Sequence, residues 1–222
     1  MLISGLESFT SFSSQKMATI TPFKIDIPLE KLQRLQKKLQ LADLPLEAPN
    51  SEPWSQGCPV EDIKTLALWW ECGLDVNSEE GLNWRGVESE LNKFPQFTTT
   101  IAIENFGNYD IHFIHQKSEV ATAIPLLFLH GWPGSFIEVT KILPELVKGG
   151  EEFPTFHVVA PSLIDFGFSA PSNNVSFLVT EIRSQRGILI MAKKDFGFEQ
   201  HAEAYHKLML ALGYQEYGKQ FQ

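Results

Sequence analysis

Ile124-Pro-Leu-Leu-Phe-Leu-His-Gly-Trp-Pro-Gly-Ser135 is the stretch on which the reading of this chain turns. Ile124 to Leu129 is almost wholly apolar, the pattern of a strand buried on both faces in a parallel sheet. It stops at His130-Gly131-Trp132-Pro133-Gly134-Ser135, where two glycines and a proline impose a sharp turn. Ser135 can cap a helix over 136–147 whose apolar positions are Phe136, Ile137, Val139, Ile142 and Leu143. In an open parallel sheet, ligands bind beyond the carboxyl ends of the strands. A Gly-rich turn there can aim backbone N–H groups at a developing oxyanion. An ordinary strand-to-helix loop has the same Gly and Pro content, so composition alone does not separate the two readings.

Outward from this turn the elements alternate as in an α/β protein. Phe156-His-Val-Val-Ala160 reads as a second parallel strand, so strand, helix and strand form one right-handed βαβ unit. The loop Pro161-Ser-Leu-Ile-Asp-Phe-Gly-Phe-Ser169 then leaves a strand end on the same face as His130–Ser135. Phe166 and Phe168 are read as apolar pocket or packing residues, and Asp165 as a turn residue rather than a catalytic one. Upstream, Phe97–Ile103 and Ile111–His115 flank Asn105–Asp110 as a hairpin. His112 and His115 fall on opposite faces of that strand, which argues against a metal pair.

The first hundred residues have helical periodicity. Leu29, Leu32, Leu35 and Leu39 form a stripe after Pro28. A second pattern follows Pro59 through Val60, Ile63, Leu66, Leu68, Trp69 and Trp70, and a third covers Trp84 to Leu91. Residues 45–59 and 75–80 are polar or Pro-rich and read as loops. Trp54, Trp69, Trp70 and Trp84 are expected to pack the core of this small appendage. Near the other end, Glu199–Leu212 reads as an amphipathic helix stopped by Gly213, with His201 and His206 on its surface.

The 222 residues carry a net charge of −9, from 18 basic and 27 acidic side chains, with no basic cluster for nucleic acid. Cys58 and Cys72 make neither a disulfide framework nor a metal-ligand cluster. No apolar run is long enough to span a membrane, and Met1–Lys16 lacks the pattern of a secretory signal. A cytoplasmic protein with a Ser-rich, disordered tail over 1–17 is the expectation.

The string His130-Gly-Trp-Pro-Gly-Ser135 resembles the oxyanion turn of α/β-hydrolases, and of the epoxide hydrolases in particular. Pro22-Phe-Lys-Ile25, the Leu-stripe helix, Leu66–Trp70, Leu91-Asn-Lys-Phe-Pro-Gln-Phe97, Ile111-His-Phe-Ile-His115 and the Pro161–Ser169 loop follow in the order of microsomal-type and fungal members. The resemblance covers roughly residues 18–171. It implies a partial α/β-hydrolase core, an incomplete and mostly parallel sheet, preceded by a helical and β-hairpin N-terminal meander. The implied division is an epoxide hydrolase N-terminal domain over 18–118 and a partial core over 119–222, with an atypical insert at 175–193.

For an intact relative, the resemblance implies that an aspartate attacks an epoxide carbon to form an ester. Lid tyrosines protonate the epoxide oxygen, and an acid-oriented histidine activates water to release a vicinal diol. The Trp132 N–H is the implied oxyanion donor, within the turn His130, Gly131, Trp132 and Pro133, and Trp132–Pro133 is a candidate cis bond. The implied partner is a small-molecule epoxide, with a possible homodimer and with no metal or organic cofactor.

This sequence departs from the pattern at Val175–Met191 and again at Tyr217-Gly-Lys-Gln-Phe-Gln222, where a Gln-Gly-Gly-Asp-Trp-Gly-like nucleophile turn is expected. Asp165, Asp195, His201 and His206 do not fit the nucleophile or base positions, so no catalytic residue is assigned. A gene-model artefact or fragment, inactive as written, is the expectation. The alternatives are another α/β-hydrolase acting on esters or haloalkanes, and a non-catalytic binding or regulatory fragment.

Overall fold

The computed structural model describes residues 18–47, 52–55, 57–74, 81–150, 153–169, 171 and 196–221. The expected tail over 1–17, the 75–80 loop, the 175–193 insert and Asp195 lie outside the described residues. The chain divides into two compact units, residues 23–96 and residues 97–222 together with 1–22.

Among its described residues the 23–96 unit holds three helices: α1 (Leu29–Gln40), α2 (Val60–Cys72) and α3 (Trp84–Leu91). Pro28 and Pro59 stand immediately before α1 and α2. Asn83 caps α3 by accepting the Gly86 N–H at 2.9 Å. Just past α3, the Asn92 amide accepts the Ile25 N–H and donates to the Ile25 carbonyl, each at 2.8 Å. Glu88 accepts the Ile27 N–H at 2.7 Å and pairs with Arg85 at 2.6 Å. Burial pushes the Glu88 carboxyl up, but those two partners outweigh it and hold it below the usual range. Ile25 and Ile27 are thus held by the side chains of Asn92 and Glu88, while the Phe23 N–H reaches the Gln96 carbonyl at 2.8 Å.

Three of the four tryptophans of this unit are a correction, while Trp84 is half-buried. Trp54, Trp69 and Trp70 are exposed, as are Ile63, Leu66 and Leu68, and α2 buries none of its residues. At 100° per residue, Ile63, Leu66, Trp69 and Trp70 share one side while Leu68 faces away, so no single packing surface could cover them all.

Among its described residues the second unit is built on a six-stranded sheet. Its strands are β1 (Thr21–Pro22), β2 (Gln96–Ile103), β3 (Gly107–Gln116), β4 (Ile124–Leu129), β5 (Phe156–Pro161) and β6 (Gly218–Phe221). Their order is β1-β2-β3-β5-β4-β6. β3 runs antiparallel to β5, with Phe113 opposite Pro161, while β4 runs parallel to both β5 and β6. The hairpin turn is tighter than expected, because Asn105 (φ 61°) and Gly107 (φ 95°) take left-handed backbone and let β3 begin at Gly107.

The expected helix over 136–147 is split into a 3-10 turn (Phe136–Lys141) and α4 (Leu143–Lys148). Pro144 has no N–H to give to the Thr140 carbonyl, which interrupts the ladder there. α5 (Phe198–Ala211) ends before Gly213, whose φ is 89°. Ala204, Tyr205, Leu208 and Met209 of α5 pack on the Ile111, Phe113, Leu127 and Val159 face of the sheet. Val158 and Ala160 alternate to the opposite face and are equally buried.

Candidate functional site

β4 delivers His130 at its carboxyl end, as a parallel strand feeding a turn should. The residue is buried despite its polarity. His130 Nε2 lies 3.1 Å from the Leu163 N–H nitrogen, and Nδ1 lies 3.1 Å from the Gly131 carbonyl oxygen. That same carbonyl accepts the Gly134 N–H at 2.9 Å. The Trp132–Pro133 bond is cis, in line with the resemblance. The Trp132 side chain is 84% exposed. Ser135 accepts the Ile137 N–H at 3.4 Å, a weak cap on the 3-10 turn.

Gly134 lies against the end of the Glu138 side chain. A Cβ there would fall onto the Glu138 carboxylate. Glu138 Oε2 is buried and has no hydrogen-bond partner among the described residues.

The loop after β5 is held from both faces of the sheet. On one side His112 Nδ1 meets Ser162 Oγ at 2.9 Å, and the His112 carbonyl accepts the Ser162 N–H at 2.9 Å. The His112 N–H reaches Ser169 Oγ at 3.1 Å, and that hydroxyl donates to the Ser162 carbonyl at 2.8 Å. The His112 ring lies edge-on to Phe136 and Phe168, with centroids 4.8 and 5.4 Å away. Burial lowers its pKa to about 4, so the ring is neutral. On the other side the Ile164 N–H donates to the buried Tyr205 hydroxyl at 2.8 Å.

The two predicted phenylalanines therefore part company. Phe166 packs edge-on to His130 at 5.7 Å, beside the turn. Phe168 packs against His112 and Phe136. Asp165 occupies an exposed left-handed position at φ 70°, and its charge bears on Tyr109, Tyr205 and His201. His201 is not a surface residue as expected: it is partly buried, stacked on Tyr205, with Nδ1 3.3 Å from that hydroxyl. His206 is exposed, as expected, against the Tyr217 hydroxyl at 2.9 Å.

The Ser162–His112 contact has the chemistry of a nucleophile–base pair, but both residues are fully buried and no substrate can reach them. Sequence reading passed over this pair because its partners lie fifty positions apart in the chain. The only local signals were a histidine at an inward position of a strand and a serine just past a strand end. Among the described residues, no group of three or more His, Cys, Asp or Glu could hold a metal ion. No helix among them is long and apolar enough to cross a membrane.

The family model for the epoxide hydrolase N terminus matches residues 20–139, which takes in the hairpin, β4 and the His130–Ser135 turn. The chain belongs to the epoxide hydrolase family. It is similar to a putative epoxide hydrolase of Stigmatella aurantiaca, 35% identical over 199 residues, which is 88% of this chain and 38% of that protein. It is also similar to juvenile hormone epoxide hydrolase 1 of Ctenocephalides felis, at 32% identity over 90% of this chain and 37% of that protein. The structure of the Aspergillus niger epoxide hydrolase superposes with a TM-score of 0.67 at 32% identity, over 97% of this chain and 49% of that one. This epoxide hydrolase family chain thus spans roughly two fifths of the curated relatives named here and about half of that solved structure. The shared architecture is that of an α/β-hydrolase core, here in part.

Proposed function

We propose that this chain supplies the oxyanion side of an epoxide-opening site. The observation that carries the reading is the state of the Trp132 N–H. It stands in the turn at the carboxyl end of β4, and no acceptor among the described residues takes it. A backbone donor left open there suits an anion that forms only during reaction. β6 lies parallel to β4, with Phe221 opposite Leu129, so a residue following β6 would emerge beside this turn.

The reaction class follows from family membership. A carboxylate attacks an epoxide carbon, the C–O bond breaks, and the alkoxide oxygen takes up a proton. Water then attacks the resulting ester. The tetrahedral oxyanion of that second step is the species that the Trp132 N–H holds, a contribution on the order of 3 kcal/mol. Phe166, against the imidazole behind the turn, lends the apolar wall. The product is a vicinal diol, and no metal or organic cofactor takes part.

The nucleophile is not among the described residues. Asp165 stands in the loop after β5 rather than in a strand–nucleophile–helix turn, and Ser162 is sealed against His112, so neither is assigned the attack. On this reading the attacking carboxylate follows β6 in a longer protein, and activity is expected of that longer form. The test is mass spectrometry of such an elongated protein, quenched during turnover of styrene oxide. An adduct of one substrate molecule on an aspartate supports the reading. Acylation of a serine by an ester substrate, with no epoxide adduct, would move the protein to the ester hydrolases.

A further inference from the structure

The orientation of the Trp132 N–H has a visible cause. In a trans peptide the C=O and the N–H point in opposite directions. The Gly131–Trp132 peptide is trans, since the cis bond of this turn is the next one. Its carbonyl is drawn by two donors, the Gly134 N–H at 2.9 Å and the His130 ring at 3.1 Å. Pulling the Gly131 oxygen to one side turns the Trp132 N–H to the other.

The imidazole can do this in only one protonation form. Its Nε2 faces the Leu163 N–H, which can only donate, so Nε2 must be bare and must accept. The remaining proton of the neutral ring then sits on Nδ1, where it is donated to the Gly131 oxygen. One backbone amide, thirty-three residues away in the chain, thus selects the tautomer that aims another.

We infer that His130 is a positioning residue: through the Gly131 carbonyl it aims the Trp132 N–H, and through Leu163 it fixes that aim to the loop after β5. The inference rests on the proposed function only for what the N–H does. The aiming itself is a property of this chain and is tested in it. Phe166 supports the arrangement by covering the ring edge-on, which keeps the imidazole in one plane.

The test is nuclear magnetic resonance on the 222-residue chain with 15N-labelled histidine. The His130 nitrogens should read as a bare Nε2 and a protonated Nδ1. Two variants separate the two bonds. In His130→Asn the amide nitrogen replaces Nδ1, so the Trp132 amide resonance should hold while that of Leu163 moves. In His130→Gln the amide reaches the Nε2 position, so the Leu163 resonance should hold while that of Trp132 moves.

A protonated Nε2 in the unaltered chain overturns the inference, as does a Trp132 resonance indifferent to His130→Gln. Should either variant fail to fold, the tautomer in the unaltered chain still decides. An elongated protein that opens no epoxide while the tautomer stands would count against the proposed function and leave the aiming intact.

Discussion

His112 Nδ1 and Ser162 Oγ meet at 2.9 Å with both residues fully buried, and this contact ties the loop after β5 to the neighbouring antiparallel strand. Burial holds the imidazole at a pKa of about 4. An unfolded chain protonates histidine near pH 6.5, so between about pH 6.5 and 4 it binds the extra proton that the fold refuses. Stability should therefore fall as pH drops through that window, by about 3 kcal/mol from His112, and level off below it. His115, lowered to about 4 by burial and then by the charges of Lys117 and His157, acts with the same sign. Urea midpoints from pH 7 to pH 4 check this. His112→Gln should flatten the profile in part, and a profile unchanged by that substitution would contradict the account.

Gly167 takes a φ of 55°, and a Cβ there would lie 2.5 Å from Ser162 Oγ. Gly167→Ala should cost about 1–3 kcal/mol in chemical denaturation through left-handed strain and displacement of that hydroxyl. Gly149→Ala offers a comparison, because its φ is 60° and its Cβ would meet the Thr155 hydroxyl. A neutral Gly167→Ala would mean that the loop is not braced on Ser162.

The Tyr205 hydroxyl is the acceptor for the Ile164 N–H in a buried setting. Tyr205→Phe should lower stability by about 1–3 kcal/mol, because it strands a buried donor. Tyr217→Phe removes a hydroxyl whose partner, His206, is exposed, and should stay within about 0.5 kcal/mol. Equal effects from the two substitutions would remove the distinction drawn here between a bracing hydroxyl and a surface one.

Asn92 both accepts from and donates to the Ile25 backbone. Asn92→Asp keeps the acceptor and turns the donor into a carboxylate oxygen facing a carbonyl. It should cost more than loss of one hydrogen bond alone, about 2 kcal/mol, and should speed amide exchange at Ile25. Unchanged exchange at Ile25 would show that Ile25 is held by something other than Asn92.

Much of this architecture was legible because its signals are local. The apolar run into His-Gly-Trp-Pro-Gly-Ser marks β4 and its turn, and Pro28, Pro59 and the Leu stripe mark the helices. What escaped notice is held by partners distant in the chain. Gly218-Lys-Gln-Phe221 carries little strand signal and becomes β6 through its register with β4. His112, Ser162 and Tyr205 look unremarkable until the sheet brings their segments together. Pro144 was visible, but its effect depends on which carbonyl it leaves without a donor. The exposed Trp69 and Trp70 follow from apolar residues spread around α2, which periodicity weighed only as one stripe.

The central proposal is that this epoxide hydrolase family chain supplies an oxyanion turn, with no nucleophile among its described residues. Diol formation from styrene oxide, measured with the 222-residue chain and with a protein elongated beyond β6, tests it most directly. The account predicts diol from the elongated protein and none from the shorter one. Turnover by the 222-residue chain would contradict it and would send the search for the attacking group back to Asp165, Asp195 or another residue within these 222.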